Sequence, residues 1–290
     1  MTDQKKVLGT YGPGSNHWVG DGFPVRNMFP SNGLEAEVNP FLMLDYAGPT
    51  ELKSSSKAPG VGQHPHRGFE TVTIAYQGSV EHRDSAGNSG VIYPGDVQWM
   101  TAASGVVHEE MHEKEFARKG GLFEMVQLWV NLPKADKMSK PGYQAITKEQ
   151  IPVVELGTGG HVRVIAGELN GTKGPAHTFT PINVFDVVLK AGERLELPLP
   201  EGHQAAVVLR KGDVVIDGAH SLMGEARIAT LSAAGSGVTI EAKVDSTLLV
   251  LSGEPIREPV ASYGPFVMNT REELVQAMED YKAGKMGRLA

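Results

Sequence analysis

The segment His64-Pro65-His66-Arg67-Gly68-Phe69-Glu70-Thr71-Val72-Thr73-Ile74-Ala75-Tyr76 decides the fold of this chain. It joins two histidines at positions i and i+2 to a run of β-branched and aromatic residues, a composition that predicts β-strands. A second segment, His108-Glu109-Glu110, repeats the spacing with a histidine and a carboxylate. Alternate side chains of a strand share one face, about 6–7 Å apart along the strand. Two such strands that face each other can bring three imidazoles and one carboxylate around a single metal ion.

Short segments of strand character surround both pairs. Residues 80–83 and 97–100 predict further strands, and Gln77-Gly78-Ser79 and Tyr93-Pro94-Gly95-Asp96 predict the turns. Short strands at regular spacing with Gly and Pro turns indicate a β-sandwich or jelly-roll barrel. A metal held by inward-facing side chains would lie inside that barrel.

The spacing alone leaves the identity of the carboxylate open. Glu110 shares a strand face with His108, and Glu109 points the other way. Glu70 lies an even number of positions after His64 and His66, so on a continuous strand it would share their face. It is therefore the alternative to Glu110 as the carboxylate ligand.

The ten histidines are unevenly distributed, and five of them lie in one N-terminal stretch: His64, His66, His82, His108 and His112. A lone buried histidine is usually a core residue, but two same-face pairs favour a metal site. We interpret His82 as either an outer neighbour of that site or a solvent-exposed residue, and His112 as peripheral.

Composition limits the class of protein. The chain of 290 residues is long enough for two domains, and its 35 Gly and 18 Pro imply many turns. The absence of Cys excludes disulfides and thiolate metal ligands. A net charge of −7 without a Lys/Arg cluster argues against direct nucleic-acid binding.

The N-terminus is polar and no apolar run follows it, so we expect no signal peptide. No stretch approaches the roughly 20 apolar residues of a membrane span. We therefore expect a soluble, cytoplasmic protein with no membrane partner.

The second half of the chain resembles a degenerate repeat of the first. Residues 211–216 can be laid on 77–82, and residues 236–242 can be laid on 104–110. In this register the ligand positions are occupied by Pro198, Pro200, Ile240 and Ala242, which bind metals poorly. The repeat predicts two tandem barrels with metal only in the N-terminal one.

These observations predict a linear order of domains. Residues 1–133 form the metal-binding barrel, 134–143 a polar linker, and 144–290 a degenerate barrel with a short C-terminal helix. Thr270-Arg271-Glu272-Glu273 fits a capping box at the start of that helix. Leu274, Met278 and Tyr281 form a helical stripe that we expect to pack on a barrel.

Several longer motifs resemble one known family, and they are spread from near the N-terminus to the C-terminal helix. They are residues 39–42 (NPFL), 64–72 (HPHRGFETV), 94–102 (PGDVQWMTA), 105–111 (GVVHEEM), 127–133 (QLWVNLP) and 264–270 (GPFVMNT). The chain resembles the pirins, a branch of the cupin superfamily. The resemblance implies an all-β fold of two tandem jelly-roll (cupin) barrels. It also implies the metal ligands His64, His66, His108 and Glu110, whereas the wider cupin pattern offers Glu70. The chain departs from that wider pattern by one extra residue before Gly78 and by lacking an Asn after His108 at the usual spacing.

The sulfur-free ligand set suits one divalent first-row metal. Fe(II) is the metal we expect, and Zn(II), Mn, Ni, Co or Cu can occupy the same ligands. The resemblance implies a quercetin 2,3-dioxygenase-like oxidoreductase acting on a flavonol-like aromatic substrate with dioxygen. Glu110 would take the proton of the flavonol 3-hydroxyl as general base. Phe41, Trp99 and Met100 are candidates for the substrate pocket or the core, with the core favoured.

Two other functions remain open from the sequence. A non-enzymatic metal- or redox-sensing regulator that acts through protein partners would need the same four ligands. A cupin sugar isomerase or decarboxylase would share the fold, but the pirin-like motifs argue against it.

Overall fold

The structure, a computed structural model, describes residues 3–30, 33–157 and 159–289. Up to residue 131 its elements are β1 (Val7–Tyr11), β2 (Asn16–Val19), β3 (Phe23–Phe29), α1 (Glu35–Val38), β4 (Phe41–Leu52), β5 (Gly60–His66), β6 (Phe69–Gln77), β7 (Val80–Asp84), β8 (Ser89–Ile92), β9 (Val97–Thr101), β10 (Val106–His112), α2 (Lys114–Lys119) and β11 (Gly121–Asn131). The later elements are β12 (Gly142–Ile146), β13 (Val153–Glu155), β14 (His161–Ala166), β15 (Glu168–Leu169), β16 (Thr172–Lys173), β17 (Ile182–Leu189), β18 (Arg194–Pro198), β19 (Gln204–Ile216), β20 (His220–Leu231), β21 (Gly237–Ala242), β22 (Ser246–Gly253), β23 (Ala261–Tyr263), β24 (Phe266–Met268) and α3 (Arg271–Lys282).

The chain divides into two compact units, and the first barrel comprises residues 16–26, 43–148 and 256–290. Its strands form a sheet in the order β12-β9-β6-β11-β4-β3-β2 and a second sheet in the order β5-β10-β7-β8. In the first sheet β6 runs antiparallel to β9, and in the second β10 runs antiparallel to β5. The segment predicted to decide the fold supplies β5 and β6, one strand to each sheet.

The second barrel comprises residues 1–15, 27–42 and 149–255. Its main sheet has the order β1-β20-β19-β22-β17-β14-β13, and β18 and β21 pair beside it. The core of this barrel is aliphatic apart from Phe185 and contains, among others, Leu197, Leu199, Val238 and Ile240. The fold class predicted from the sequence, two tandem jelly-roll barrels with a short C-terminal helix, is confirmed.

The two units interleave along the chain, whereas the sequence suggested consecutive domains 1–133 and 144–290 with a linker at 134–143. Strand β1 pairs with β20 of the second barrel, and residues 256–290 belong to the first. The expected linker also lies in the first barrel, where Gly142 at its end already pairs with Thr101 of β9. These differences arise because the contacts that decide them join segments distant in sequence, such as β1 with β20 and Arg67 with Phe266, and local composition carries no signal for such contacts.

The register of the internal repeat also differs from the one chosen on sequence. If Gly212, which lies within β19, is matched to Gly78, Ile216 takes the place of His82. Because Ile216 pairs with Ile240 and His82 pairs with Glu110, Ile240 then corresponds to Glu110 rather than to His108. The residues at the ligand positions become Leu197, Leu199, Val238 and Ile240, all members of the aliphatic core. The expectation that this barrel binds no metal stays a prediction.

The C-terminal helix α3 begins as the sequence predicts. The Thr270 hydroxyl accepts a hydrogen bond from the Glu273 amide, and the Glu273 side chain accepts one from the Thr270 amide. Leu274 is buried and Met278 packs against the same cluster, but Tyr281 is exposed, so the predicted stripe is wrong at its last residue. Within the described ranges, none of the helices has the length and apolar character needed to cross a membrane.

Candidate metal centre

The strands carrying the two histidine-containing pairs lie side by side in one sheet. In the antiparallel pairing of β5 with β10, His64 is the direct partner of His108. The two strands are edge-to-edge neighbours in one sheet, so the prediction that they face each other is wrong. The histidines nevertheless come together as expected, because directly paired residues project from the same face of a sheet.

Three imidazoles converge at this point. The ring centroids are 4.2 Å apart for His64 and His108, 4.8 Å for His66 and His108, and 4.8 Å for His64 and His66. Each ring offers one nitrogen, and these three atoms lie within 4.8 Å of one another. Nitrogens that share one ion at about 2.1 Å each are at most about 4.2 Å apart. The cluster is therefore close to the arrangement that a single ion requires.

Several ring nitrogens of the three histidines have no hydrogen-bond partner, as expected of atoms that bind a metal. His64 Nδ1 lies 2.8 Å from the carbonyl oxygen of Gly62, which fixes the proton on Nδ1 and leaves Nε2 free to bind. His108 is fully buried, and neither of its ring nitrogens has a hydrogen-bond partner. Nδ1 of His66 also lacks one. Buried polar atoms are rarely left unpaired, so these nitrogens fit a divalent metal.

Glu110 lies two residues after His108 on β10, interacts electrostatically with His64, and accepts hydrogen bonds from two side chains. Among the described residues, the ligand atoms that lie within 4.8 Å of one another are those of the three histidines and do not include this carboxylate. Gln127 Nε2 donates to both carboxylate oxygens at 3.1 Å, and Thr73 Oγ1 donates to Oε1 at 3.4 Å. A register shift separates His108 from Glu110 in the β5–β10 pairing. Glu109 points to the opposite face, where it pairs with Arg83 at 2.5 Å. This alternation is the one that strand parity predicts.

The rival carboxylate, Glu70, lies on the other face of β6. Phe69 contacts His66 and Thr73 contacts Glu110, so the odd-numbered residues of β6 face the metal cluster. Glu70 has even parity and accepts a hydrogen bond from Thr101 Oγ1 at 2.7 Å. Its parity with the histidines is lost at the Arg67–Gly68 turn, where Gly68 adopts φ +88°. The geometry therefore favours Glu110 over Glu70.

Aromatic rings form one wall of the centre. Trp129 lies edge-on to His66, with centroids 5.4 Å apart, and Phe69 contacts both rings, at 5.1 Å from His66 and 4.3 Å from Trp129. The indole Nε1 of Trp129 is buried without a partner. Neither Trp129 nor Gln127 was predicted as a site residue from the sequence. Gln127 and Trp129 are two residues apart on β11 and therefore share one strand face, which was the signal in the sequence that could have identified them.

The three residues named as pocket or core candidates are all buried. Phe41 belongs to the core of the chain, and Trp99 pairs with Val72, which places it on the face of β6 that carries Glu70. Met100 pairs with Thr71 on the metal-facing side and packs with Ala102 and Val106. All three are therefore core residues. Met100 differs from Trp99 in that its side chain lies on the same face of the sheet as the metal-facing residues of β6.

The other two histidines of the stretch 64–112, His82 and His112, are core residues with specific partners. His82 is buried rather than solvent-exposed, and its Nε2 lies 2.6 Å from the Tyr143 hydroxyl, with the two rings stacked. It is the strand partner of Glu110, so it lies on the metal-facing side. His112 Nε2 lies 2.8 Å from the carbonyl oxygen of Gly22, and its ring packs on Phe123.

Burial governs the protonation of the cluster. Burial and the neighbouring imidazoles lower the pKa values of His66 and His108 well below the usual range, so both are neutral and able to bind a metal. Burial raises the pKa of Glu110, opposed by His64 and by the hydrogen bonds from Gln127 and Thr73. A cation bound by the carboxylate would further favour its ionised form.

Comparison with known proteins places this geometry in a family. The pirin family model matches residues 22–130, and the model of the pirin C-terminal cupin domain matches residues 184–287. The chain belongs to the pirin family. This confirms the resemblance inferred from the sequence motifs.

Close relatives of this pirin cover nearly its full length. A Pseudomonas aeruginosa protein named provisionally as a quercetin 2,3-dioxygenase is 54% identical over 97% of this chain and 98% of its own. Human pirin is 40% identical over 86% of this chain and 83% of its own. A crystal structure of a quercetin 2,3-dioxygenase from Acinetobacter baumannii matches with a TM-score of 0.95 at 51% identity, covering 99% of this chain and 100% of that one.

Proposed function

We propose that this pirin is a metal-dependent dioxygenase that cleaves quercetin or a related flavonol. The observation that carries the proposal is the sulfur-free cluster of half-buried His64 with buried His66 and His108, together with the carboxylate of Glu110, which interacts electrostatically with His64. The names of the relatives at 54% and 51% identity support the dioxygenase class. We propose Fe(II) as the native ion, with Zn(II), Mn, Ni, Co and Cu as alternatives that the same ligands accept.

A divalent ion held by these residues would act as a Lewis acid that acidifies the 3-hydroxyl of a bound flavonol. The imidazoles of His64, His66 and His108 would supply three ligand nitrogens without adding negative charge. Glu110 would supply the fourth ligand and take the hydroxyl proton as general base. The hydrogen bonds from Gln127 and Thr73 fix the orientation of this carboxylate, and this orientation lowers the cost of the proton transfer.

The wall beside His66 fits an aromatic substrate. Phe69 is fully buried and packs behind the half-buried ring of Trp129, which we propose as the stacking surface, and the buried Nε1 of Trp129 is a donor without a partner. A flavonol carries both a planar ring system and a carbonyl acceptor. Dioxygen would then react with the deprotonated flavonol, with opening of its central ring and loss of carbon monoxide.

The test is reconstitution of metal-free protein with each candidate ion, followed by quercetin and dioxygen. We expect loss of the flavonol absorption band, consumption of oxygen and release of carbon monoxide in at least one metal form. Glu110→Gln should reduce turnover more than metal content, because an amide cannot accept the proton. Glu109→Gln is the matched control, since Glu109 lies next in sequence but pairs with Arg83 on the opposite face.

Metal-replete protein that neither consumes oxygen nor changes the flavonol spectrum would contradict the enzymatic proposal. The regulatory alternative, in which the metal state is read by a protein partner, would then be favoured. The cytoplasmic location stays a prediction.

A further inference from the structure

The turn that follows His66 is tied to the C-terminal segment of the chain. Arg67 is 4% exposed, and its guanidinium NH1 donates to Asp280 Oδ2 of α3 at 2.8 Å. Its Nε donates to the carbonyl oxygen of Ser104 at 2.7 Å. Ser104 lies two residues before β10, the strand that carries His108. One side chain thus connects the end of one ligand strand, the approach to the other, and the C-terminal helix.

The backbone of the same turn is held by β24. The Arg67 amide donates to the Pro265 carbonyl at 3.3 Å, and the Val267 amide donates to the Arg67 carbonyl at 3.0 Å. The buried ammonium of Lys137 donates to the carbonyl oxygens of Gly68 at 2.7 Å and Val267 at 3.1 Å. A methyl group at Gly68 would meet the Val267 carbonyl oxygen at 1.9 Å, so the two segments are in close backbone contact.

The C-terminal segment also reaches the strand of His108. The carbonyl oxygen of Met286 accepts a hydrogen bond from Ser85 Oγ at 2.6 Å, and Ser85 Oγ accepts one from the Val107 amide at 3.0 Å. Val107 directly precedes His108. The Met286 side chain packs against Gly105, where a methyl group would lie 2.6 Å from its Cγ. Both ligand strands are therefore anchored to residues 256–290 within the first barrel.

We infer that Arg67 is a positioning residue, through which the C-terminal segment holds His66 and His108 in the geometry that binds metal. The inference rests on the metal site proposed above and goes beyond it. Buried arginine–carboxylate pairs are directional and fix the groups they join. Asp280 is itself oriented by Gln276 Nε2 at 2.9 Å and Lys285 Nζ at 2.8 Å, so the guanidinium has a fixed partner. Loss of the pair would leave both ligand strands folded but less constrained.

The test measures the affinity of the full-length protein for Co(II) by competition with a chelator, together with the visible spectrum of the Co(II) form. Arg67→Met should lower the affinity about 10- to 100-fold, the range found when groups that orient metal ligands are removed. It should also change the Co(II) absorption bands, since these report ligand geometry. Arg67→Lys should restore affinity in part, because a single ammonium cannot span both acceptors in the same geometry.

The second barrel offers a matched control. Asp186 accepts from Arg163 at 3.0 Å and from Arg210 at 3.4 Å, in a partly buried pair that resembles the one at Asp280. Arg163→Met should lower the unfolding temperature and leave the affinity for Co(II) and its spectrum unchanged. This separates a loss of positioning from a general loss of stability.

If Arg67→Met does not fold, Asp280→Asn replaces it, with a smaller loss of affinity expected in the same direction. Unchanged affinity and an unchanged Co(II) spectrum in these variants would overturn the inference, as would an equal loss in Arg163→Met. Failure of the wild-type protein to bind any Co(II) would instead overturn the proposed metal site, and the inference with it.

Discussion

Glu70 is a buried carboxyl whose replacement by Gln should stabilise the protein in a pH-dependent way. Burial raises its pKa from 4.5 to about 7, and the hydrogen bond from Thr101 Oγ1 opposes this shift. Because the folded pKa is raised, ionisation penalises the folded state. The penalty is absent below the unfolded pKa, grows as the pH rises from 4.5 to about 7, and is complete above that. At about 1.4 kcal/mol per pKa unit, it reaches about 3 kcal/mol at pH 8 and about 1 kcal/mol at pH 5.

The amide of Glu70→Gln can still accept the hydrogen bond from Thr101 but carries no charge at any pH. Thermal denaturation of wild type and variant at pH 5 and pH 8 measures the effect. We expect the unfolding temperature to rise by about 6–12 °C at pH 8, at about 2–4 °C per kcal/mol, and by much less at pH 5. Glu109→Gln should retain the pH dependence of the wild type. An equal shift at both pH values, or none, would refute this account of the Glu70 environment.

Further predictions concern the metal site. His108→Ala should reduce the metal content from about one ion per chain to nearly none in elemental analysis, because both buried nitrogens of this ring lack another partner; unchanged content would exclude it as a ligand. Gln127→Ala should weaken metal binding about tenfold in chelator competition, since it removes the donor to both oxygens of Glu110; retention of wild-type affinity would show that the carboxylate needs no such support. Gly68→Ala should be poorly folded by circular dichroism, because the residue has φ +88° and its Cβ would meet a carbonyl oxygen at 1.9 Å; a wild-type unfolding temperature would contradict the described turn.

Strand alternation was sufficient to predict much of the candidate site. It brought His64, His66 and His108 together and separated Glu110 from Glu109, because side-chain parity survives any choice of strand partner. It did not decide between Glu110 and Glu70. That choice depends on the turn at Gly68, whose φ is positive. The turn ends β5 and begins β6, so even-numbered residues on the two strands no longer share a face. The sequence pattern does not show where such a turn lies.

Other features depend on contacts that are distant in sequence. The pairing of β1 with β20 and the assignment of residues 256–290 to the first barrel leave no local signal. The hydrogen bond from Gln127 to Glu110 and the Arg67–Asp280 pair were also missed, because single polar residues in strands and helices are usually exposed. The faint repeat gave the correct number of barrels but a shifted register, since turn residues alone do not fix strand pairing.

The location of the bound metal tests the account most directly. Crystals of protein loaded with a single transition metal should show one anomalous scattering peak per chain at that metal's absorption edge. The account predicts a peak within coordination distance of His64, His66, His108 and Glu110, and none inside the second barrel. A peak coordinated by Glu70 in place of Glu110, or one between the aliphatic residues of the second barrel, would contradict it.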